Sequence, residues 1–256
     1  MRHSTTFLMS LIVASILVLM FLNLVLGSVS IPLKSVWNII CGLGDEPVTW
    51  QNIVWKSRLP QALTALVAGA GLAISGLQMQ TVFRNPLAGP SVLGISSGAS
   101  MGVAFVVLLS GSLGGVALSK LGFMGEIALS IAAVIGSLSV MALIVYVSQK
   151  VKGNVTLLII GVMIGYVANA VIGVLKFFSV EEDIRAYVIW GLGSFSRVSG
   201  NQMMLFVAIM AILIPLSFLL IKTLNLMLLG DGYARNLGLN IKRARLLVIT
   251  SAGVLT

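Results

Sequence analysis

Few side chains in this sequence could do chemistry. The chain has one cysteine, Cys41, and one histidine, His3, so it offers no set of thiolate and imidazole ligands for a metal ion. A single histidine at the N-terminus also leaves no Ser-His-Asp triad, and no G-x-x-x-x-G-K-[ST] loop is present to cradle a nucleotide phosphate. We therefore predict no catalytic residue, no metal site and no directly bound cofactor.

The most informative polar segment is LNLMLLGDGYARNLGLNIKRARLL, residues 224–247. Asp231 can cap a short helix, Gly238 can end it in the left-handed conformation, and Asn240 can cap the next helix. The pattern predicts two short helices followed by three basic residues, Lys242, Arg243 and Arg245. Two interpretations stay open: a connector at the membrane surface with basic anchors, or a docking surface for a soluble partner.

The elements that position this segment are apolar helices. The chain is 58% hydrophobic and 9% charged, whereas a soluble domain has about a quarter charged residues. Stretches long enough to cross the bilayer lie at 7–27, 60–82, 92–110, 124–147, 155–175 and 202–221, and another apolar run begins near Arg245. We predict an all-α, polytopic membrane helical bundle with six full spans and the start of a seventh.

Charge gives the expected orientation. The net charge of +9 is scattered between apolar runs, which argues against nucleic acid as a partner. The first apolar stretch is longer than a signal-peptide core of about 7 to 15 residues, so we interpret it as a retained helix. With the N-terminus in the cytoplasm, the loops on the inner side have a small excess of Lys and Arg, and Asp231 is the one acidic residue on that side. Lys56 and Arg58 then lie outside.

Two spans have a small or amide residue at every fourth position. They are Gly94, Gly98 and Gly102 in the third span, and Gly161, Gly165, Asn169 and Gly173 in the fifth. Each set lies on one helix face, where small residues let helix backbones approach closely in lipid. We predict helix packing at the glycines of the third span. For the fifth span, packing and a wet pathway stay open as alternatives, because the Asn169 amide needs a polar partner.

The energy source follows from what the spans lack. No Asp, Glu, Lys or Arg lies well inside a predicted span, whereas ion-coupled carriers usually keep ionisable groups there. This pattern favours an external source of energy. A secondary carrier or channel that uses backbone carbonyls remains the alternative.

Two blocks carry a family resemblance. RLPQALTALVAGAGLAISGLQMQTVFRNPLAGPSVLGISSGAS, residues 58–100, and LLGDGYARNLGLN, residues 228–240, resemble the permease subunits of bacterial ABC importers for iron-siderophore complexes, haem and vitamin B12. The similarity runs from the first span to the last residue. It implies a permease domain over residues 1–256, placed in the bacterial inner membrane.

The resemblance also implies partners. Family members are homodimers with about ten helices per subunit, two ATP-binding cassette ATPases that bind the ATP, and a periplasmic substrate-binding protein. Residues 228–243, here named the coupling segment, are implied to seat in the ATPase. The implied contact residues are Gly230, Asp231, Tyr233, Ala234, Arg235, Leu237 and Gly238.

Two further sets of residues take roles from the resemblance. Gly161, Gly165, Asn169 and Gly173 become candidates for the translocation pathway or the dimer interface. Arg58 matches a family arginine that pairs with an acidic residue of the binding protein. The family usually has a second arginine three positions later, but this chain has Gln61, and Lys56 is the candidate that compensates.

The family's last part is absent from this sequence. A glycine-rich segment and three further helices usually follow the seventh helix, so we expect the permease domain to be incomplete at its C-terminus. A non-transporting fragment is therefore a third hypothesis beside an ATP-driven permease and a secondary carrier.

Overall fold

A computed structural model of the protein describes residues 2–112, 123–151, 153–196, 198 and 200–256. Within these ranges all regular structure is helical. The α-helices are α1 Arg2–Val25, α2 Leu33–Cys41, α3 Val48–Ile53, α4 Leu59–Phe83, α5 Ile95–Ser112, α6 Phe123–Lys150, α7 Asn154–Phe177, α8 Glu181–Gly191, α9 Gly200–Phe218, α10 Ile221–Leu228, α11 Asp231–Asn236 and α12 Ile241–Leu255. A π-helical turn, Val54–Arg58, joins α3 to α4, and a 3-10 turn, Pro90–Leu93, precedes α5.

Five helical stretches in the described part of the chain are long and apolar enough to cross a membrane. They are Thr5–Val25, Val48–Phe83, Ile127–Lys150, Val155–Phe177 and Gly200–Phe218, and Ile95–Leu109 is a shorter apolar helix. The prediction of an all-α, multi-pass membrane bundle is confirmed. The third predicted span begins later than expected, because Gly94 takes a left-handed backbone (φ 72°) that ends the 3-10 turn before α5 starts.

The second span differs from the prediction at its N-terminal end. The sequence predicts a span over 60–82, but the helix already begins at Val48 and continues to Phe83. Pro60 has no N–H to bond the Lys56 carbonyl, and a wider turn just before it keeps the helix continuous. In that turn the Leu59 N–H donates to the Val54 carbonyl, five residues back.

The contacts group the described residues into two compact units. One comprises 1–70 and 194–211, and the other 71–193 and 212–256. The first has a small core of Leu24, Ile31, Val36, Ile39, Val54 and Ala62. The prediction of one permease domain over residues 1–256 stays a prediction.

The second unit has a larger core and close helix contacts. Met79, Leu93, Ile144, Leu157 and Ile249 are buried together in it. The backbones of α5 and α6 touch: a Cβ on Gly98 would lie 2.7 Å from the Gly136 carbonyl oxygen, and one on Gly102 would overlap the Ala132 carbonyl. Glycine at these two positions is therefore required by the packing of α5 on α6.

Helix α8 has no counterpart among the predicted elements. It begins with Glu181, Glu182 and Asp183 in its first turn, where negative side chains favour a helix N-terminus. It packs on α5 through Tyr187, which lies in a buried cluster with Val103 and Val107. Burial raises the pKa of the Tyr187 phenol, so this side chain stays neutral at physiological pH.

Candidate functional site

The coupling segment contains the short helix α11 and the first residues of α12. The prediction of two short helices followed by three basic residues is wrong for the second helix, because α12 continues to Leu255 and Lys242, Arg243 and Arg245 lie within it. α11 ends in a Schellman motif: the Gly238 N–H donates to the Arg235 carbonyl (3.0 Å), and the Leu239 N–H donates to the Ala234 carbonyl (3.0 Å). Gly238 has φ 85°, as the sequence predicts. Asn240 caps α12 by accepting from the Arg243 N–H at 3.1 Å, which was also predicted.

The cap at the start of α11 differs from the prediction. Gly230, with φ 110°, is the N-cap, and Asp231 is the first helical residue. The Asp231 side chain therefore does not stand at the N-cap position. Its carboxylate pairs instead with two arginines from elsewhere in the same unit.

These arginines form an ionic cluster with Asp231. The Arg84 guanidinium donates to Asp231 Oδ1, and it also donates to the Met227 carbonyl at 3.2 Å. The Arg245 Nη2 lies 3.7 Å from Asp231 Oδ2, and Arg245 Nη1 donates to the Val151 carbonyl at 3.5 Å. Five helix ends therefore come together around the Asp231 cluster: the ends of α4, α6 and α10 and the first turns of α11 and α12.

The two faces of the coupling segment differ in exposure. Ala234 is fully buried and Leu239 packs against the large core, so one face is fixed to the bundle. Leu228, Leu229, Tyr233 and Leu237 are exposed, and Arg235 and Gly238 are exposed with them. The segment therefore presents an apolar surface that nothing in this chain covers among the described residues.

The small residues of α7 divide into two groups. A Cβ on Gly161 would lie 2.8 Å from the Val92 carbonyl, and one on Gly94 would lie 2.9 Å from the Gly161 carbonyl. Gly165 lies beside Ser97 in the same contact, so both α7 glycines pack against the turn before α5. Gly94 belongs to this contact and not to the α5 face that carries Gly98 and Gly102.

Asn169 and Gly173 lie further along α7 and are exposed. Asn169 borders a concave pocket of about 160 Å³ that Gly94, Gly161 and Gly165 also line. No atom lies within 4 Å of a Cβ built on Gly173. Roles of these four residues in a pathway or a dimer interface stay predictions.

Arg58 has an internal set of partners. Its side chain is 5% exposed. The guanidinium donates to the carbonyls of Leu24 (2.8 Å), Val25 (2.7 Å) and Val29, which closes the C-terminal end of α1. Lys56 is exposed, and the Gln61 amide donates to Ser57 Oγ at 3.0 Å. Docking of a binding protein by Arg58 stays a prediction, and it requires the guanidinium to leave these carbonyls.

Arg84 and Arg245 are among the basic residues that the predicted orientation places on the inner side, and the sequence did not indicate their contacts. The available signal was the single acidic residue on the predicted inner side, surrounded by basic residues. A lone carboxylate among cations at a helix start is a natural partner for arginine.

Comparison with known proteins identifies the family. The model of the FecCD transport family matches residues 15–256. The chain belongs to the FecCD transport family. The hemin transport system permease protein HmuU of Yersinia pestis is 33% identical over 232 residues, which cover 90% of this chain and 66% of HmuU. The vitamin B12 import system permease protein BtuC of Serratia proteamaculans is 36% identical over 204 residues, covering 79% of this chain and 58% of BtuC.

A solved structure shares the fold. It is described as an inward-facing conformation of a metal-chelate type ABC transporter, and it matches with a TM-score of 0.75 at 26% identity. The match covers 94% of this chain and 70% of that chain. This FecCD family chain thus spans less than two thirds of the length of the two curated relatives, and more of the solved transporter.

Proposed function

We propose that this FecCD family chain is the permease of an ATP-driven importer for an iron-siderophore complex, haem or cobalamin. The names of HmuU and BtuC support haem and cobalamin as cargo, and the metal-chelate type of the solved transporter supports a metal chelate. In this proposal ATP is hydrolysed by separate ATP-binding cassette subunits. A second permease copy completes the pathway, and a periplasmic binding protein delivers the cargo at the bacterial inner membrane.

The observation that carries the proposal is the two-sided coupling segment. Its exposed face offers Leu228, Leu229, Tyr233 and Leu237 to a partner, and clustered apolar and aromatic side chains of this kind are typical anchors of protein interfaces. Its other face is held in the core and by the Asp231 cluster. A displacement imposed on the exposed face therefore reaches the membrane helices.

The mechanism is alternating access driven from outside the bilayer. ATP binding closes the ATPases, moves α11, and tilts the helices on which α11 is mounted. This opens the pathway to one side and then to the other. No Asp, Glu, Lys or Arg lies well inside a span predicted from the sequence, which is consistent with energy supplied by the partner.

Reconstitution tests this function. The complete permease, its ATPase and its binding protein are placed in proteoliposomes, and uptake of hemin, cyanocobalamin and a ferric siderophore is measured with ATP or a non-hydrolysable analogue. We expect uptake of one of these compounds with ATP alone. Uptake driven by a proton or sodium gradient without the ATPase would establish the secondary carrier instead, and no uptake under any condition would refute a transport role.

The docking face has its own test in the same preparation. Tyr233→Asp places a charge on the exposed apolar surface, and we expect the ATPase to stop co-purifying with the permease. Leu43→Asp is the control, because Leu43 is also exposed but lies far from the coupling segment in the sequence, after α2. Equal co-purification of the Tyr233 variant and the parent would contradict the docking role.

A further inference from the structure

The residue at the inner end of α4 has an unusual backbone. Arg84 has φ 48°, and it is the one residue other than glycine with a positive φ among those that the structure describes. Residues with a Cβ are disfavoured in this left-handed region, where glycine is the usual choice. The backbone conformation at residue 84 therefore does not explain why the residue is an arginine.

The Arg84 side chain explains the choice. Its guanidinium reaches Asp231, 147 residues away in the sequence, and the Met227 carbonyl at the end of α10. The left-handed turn reverses the chain at the end of α4 and holds the guanidinium beside the coupling segment. One side chain thus bonds both helices that flank Gly230.

The second arginine extends the connection to α12. Arg245 is buried, with 7% of its side chain exposed, and it lies 3.7 Å from the other Asp231 oxygen. Its second contact is the Val151 carbonyl just after α6. Asp231 is therefore shared between an arginine at the end of α4 and an arginine in the first turns of α12.

The same two helices are joined again further along. The Ser75 hydroxyl of α4 donates to the Ala252 carbonyl of α12 at 2.9 Å, and the Gln78 amide donates to Ser251 Oγ at 3.1 Å. Ser75 and Gln78 are both buried, and polar contacts between helices in an apolar setting resist separation. α4 and α12 are thus connected at two levels.

We propose that the Arg84–Asp231–Arg245 cluster is the mechanical link of the transporter, through which movement of α11 is passed to α4 and α12 together. This inference rests on the proposed function, because it needs an ATPase that moves α11. Arg84 and Arg245 are positioning residues: they touch neither cargo nor nucleotide. Without the link, α11 still docks and still packs on the core through Ala234 and Leu239, but less of its movement is passed to α4 and α12.

The decisive variant is Arg84→Gly. Glycine favours the left-handed turn and removes the side chain that carries the guanidinium, so the helix end is preserved. In proteoliposomes with the complete transporter we expect co-purification of the ATPase and ATP hydrolysis close to the parent. We expect cargo uptake per ATP hydrolysed to fall by up to about fivefold, the size typical of an interaction between ion-paired groups that are partly exposed.

Three companion variants separate the explanations. Arg84→Lys keeps a charge in the same backbone and should recover part of the uptake ratio. Asp231→Asn should lower the ratio at least as much as Arg84→Gly does, because it weakens the contacts with both arginines. The double variant should be no worse than the worse single one, because both changes break the Arg84–Asp231 contact. Lys150→Gln is the matched control, since Lys150 is an exposed cation at the inner end of α6 whose amine contacts Tyr146 of its own helix.

A reporter cysteine gives a second measurement. Leu87 follows the α4 turn and is 88% exposed, and Cys41 is the single cysteine, so Leu87→Cys in a Cys41→Ser background labels one site. We expect ATP to change the labelling rate in the parent background and to have a smaller effect once Arg84→Gly is added. A loss of fold would instead change the rate without ATP.

The outcomes separate this inference from the proposed function. A parent that shows no ATP-dependent uptake refutes the function itself. A parent that transports, with an unchanged uptake ratio in Arg84→Gly, overturns the link and leaves the function standing. Multiplying losses in the Arg84→Gly, Asp231→Asn double variant would also overturn it, because the two residues would then act independently.

Discussion

The C-terminal ends of α4 and α11 have the same backbone motif with different residues at its left-handed position. In α11 the Gly238 and Leu239 N–H groups donate back to Arg235 and Ala234. In α4 the N–H groups of Arg84 and Asn85 donate in the same way to Thr81 and Gln80. The motif alone therefore does not explain the arginine.

The difference shows which helix end is only structural. Gly238 has no atom within 4 Å of a built Cβ, so its requirement is the backbone angle alone. Arg84 has an unfavourable positive φ, and its side chain forms an ion pair with Asp231. A strained residue whose side chain makes a distant contact is a stronger indication of function than a glycine that satisfies its own turn.

The largest effect is expected at the C-terminal end of α1, where the Arg58 side chain donates to the last carbonyls of the helix. In Arg58→Glu a carboxylate replaces the buried guanidinium and faces the carbonyls of Leu24 and Val25. We expect a loss of about 3–5 kcal/mol in the free energy of unfolding, the usual result of a buried charge without its partners. Thermal unfolding in detergent, followed by tryptophan fluorescence, measures it.

Lys56→Glu is the control for this experiment. Lys56 is exposed two residues before Arg58, so the same reversal of charge should leave stability within about 0.5 kcal/mol. If Arg58→Glu is as stable as Lys56→Glu and only weakens the binding protein, Arg58 is a docking residue and its internal contacts are dispensable.

A smaller effect is expected at Gly238, at the C-terminal end of α11. Gly238→Ala forces a Cβ into a left-handed backbone, and we expect a destabilisation of about 1–2 kcal/mol by the same thermal measurement. Gly173→Ala is matched to it, because Gly173 also has open space around a built Cβ but lies within helix α7. There alanine should be neutral or stabilising by about 0.5–1 kcal/mol. Equal effects at the two sites would show that the backbone angle is not the cause.

Local features could be predicted from the sequence. The apolar runs located the membrane helices, because about 20 apolar residues are needed for one crossing. The left-handed Gly238 and the Asn240 cap were predicted because each depends on residues within one turn. These features need no knowledge of which helices are neighbours.

Contacts between distant residues could not be predicted in this way. The bond from Arg84 to Asp231 joins residues 147 positions apart, and those from Arg58 join residues about 30 positions apart, so neither leaves a periodic pattern. Gly94 was assigned to the α5 face by its spacing, although its positive φ places it before the helix, against α7. Spacing predicts a shared face only where the helix is continuous.

The smallest effect is expected at Arg84, at the C-terminal end of α4. Arg84→Ala keeps the disfavoured backbone and loses the ion pair, whereas Arg84→Gly loses the pair and relieves the backbone. The pair is about 40% exposed on both sides, so its contribution to stability is small, about 0.2–1 kcal/mol. We therefore expect Arg84→Gly to unfold close to the parent temperature and to be more stable than Arg84→Ala by about 1 kcal/mol. If Arg84→Gly is instead less stable than Arg84→Ala, the left-handed turn at residue 84 forms only because the guanidinium binds Asp231. The C-terminal ends of α4 and α11 would then differ in backbone preference as well as in side chain.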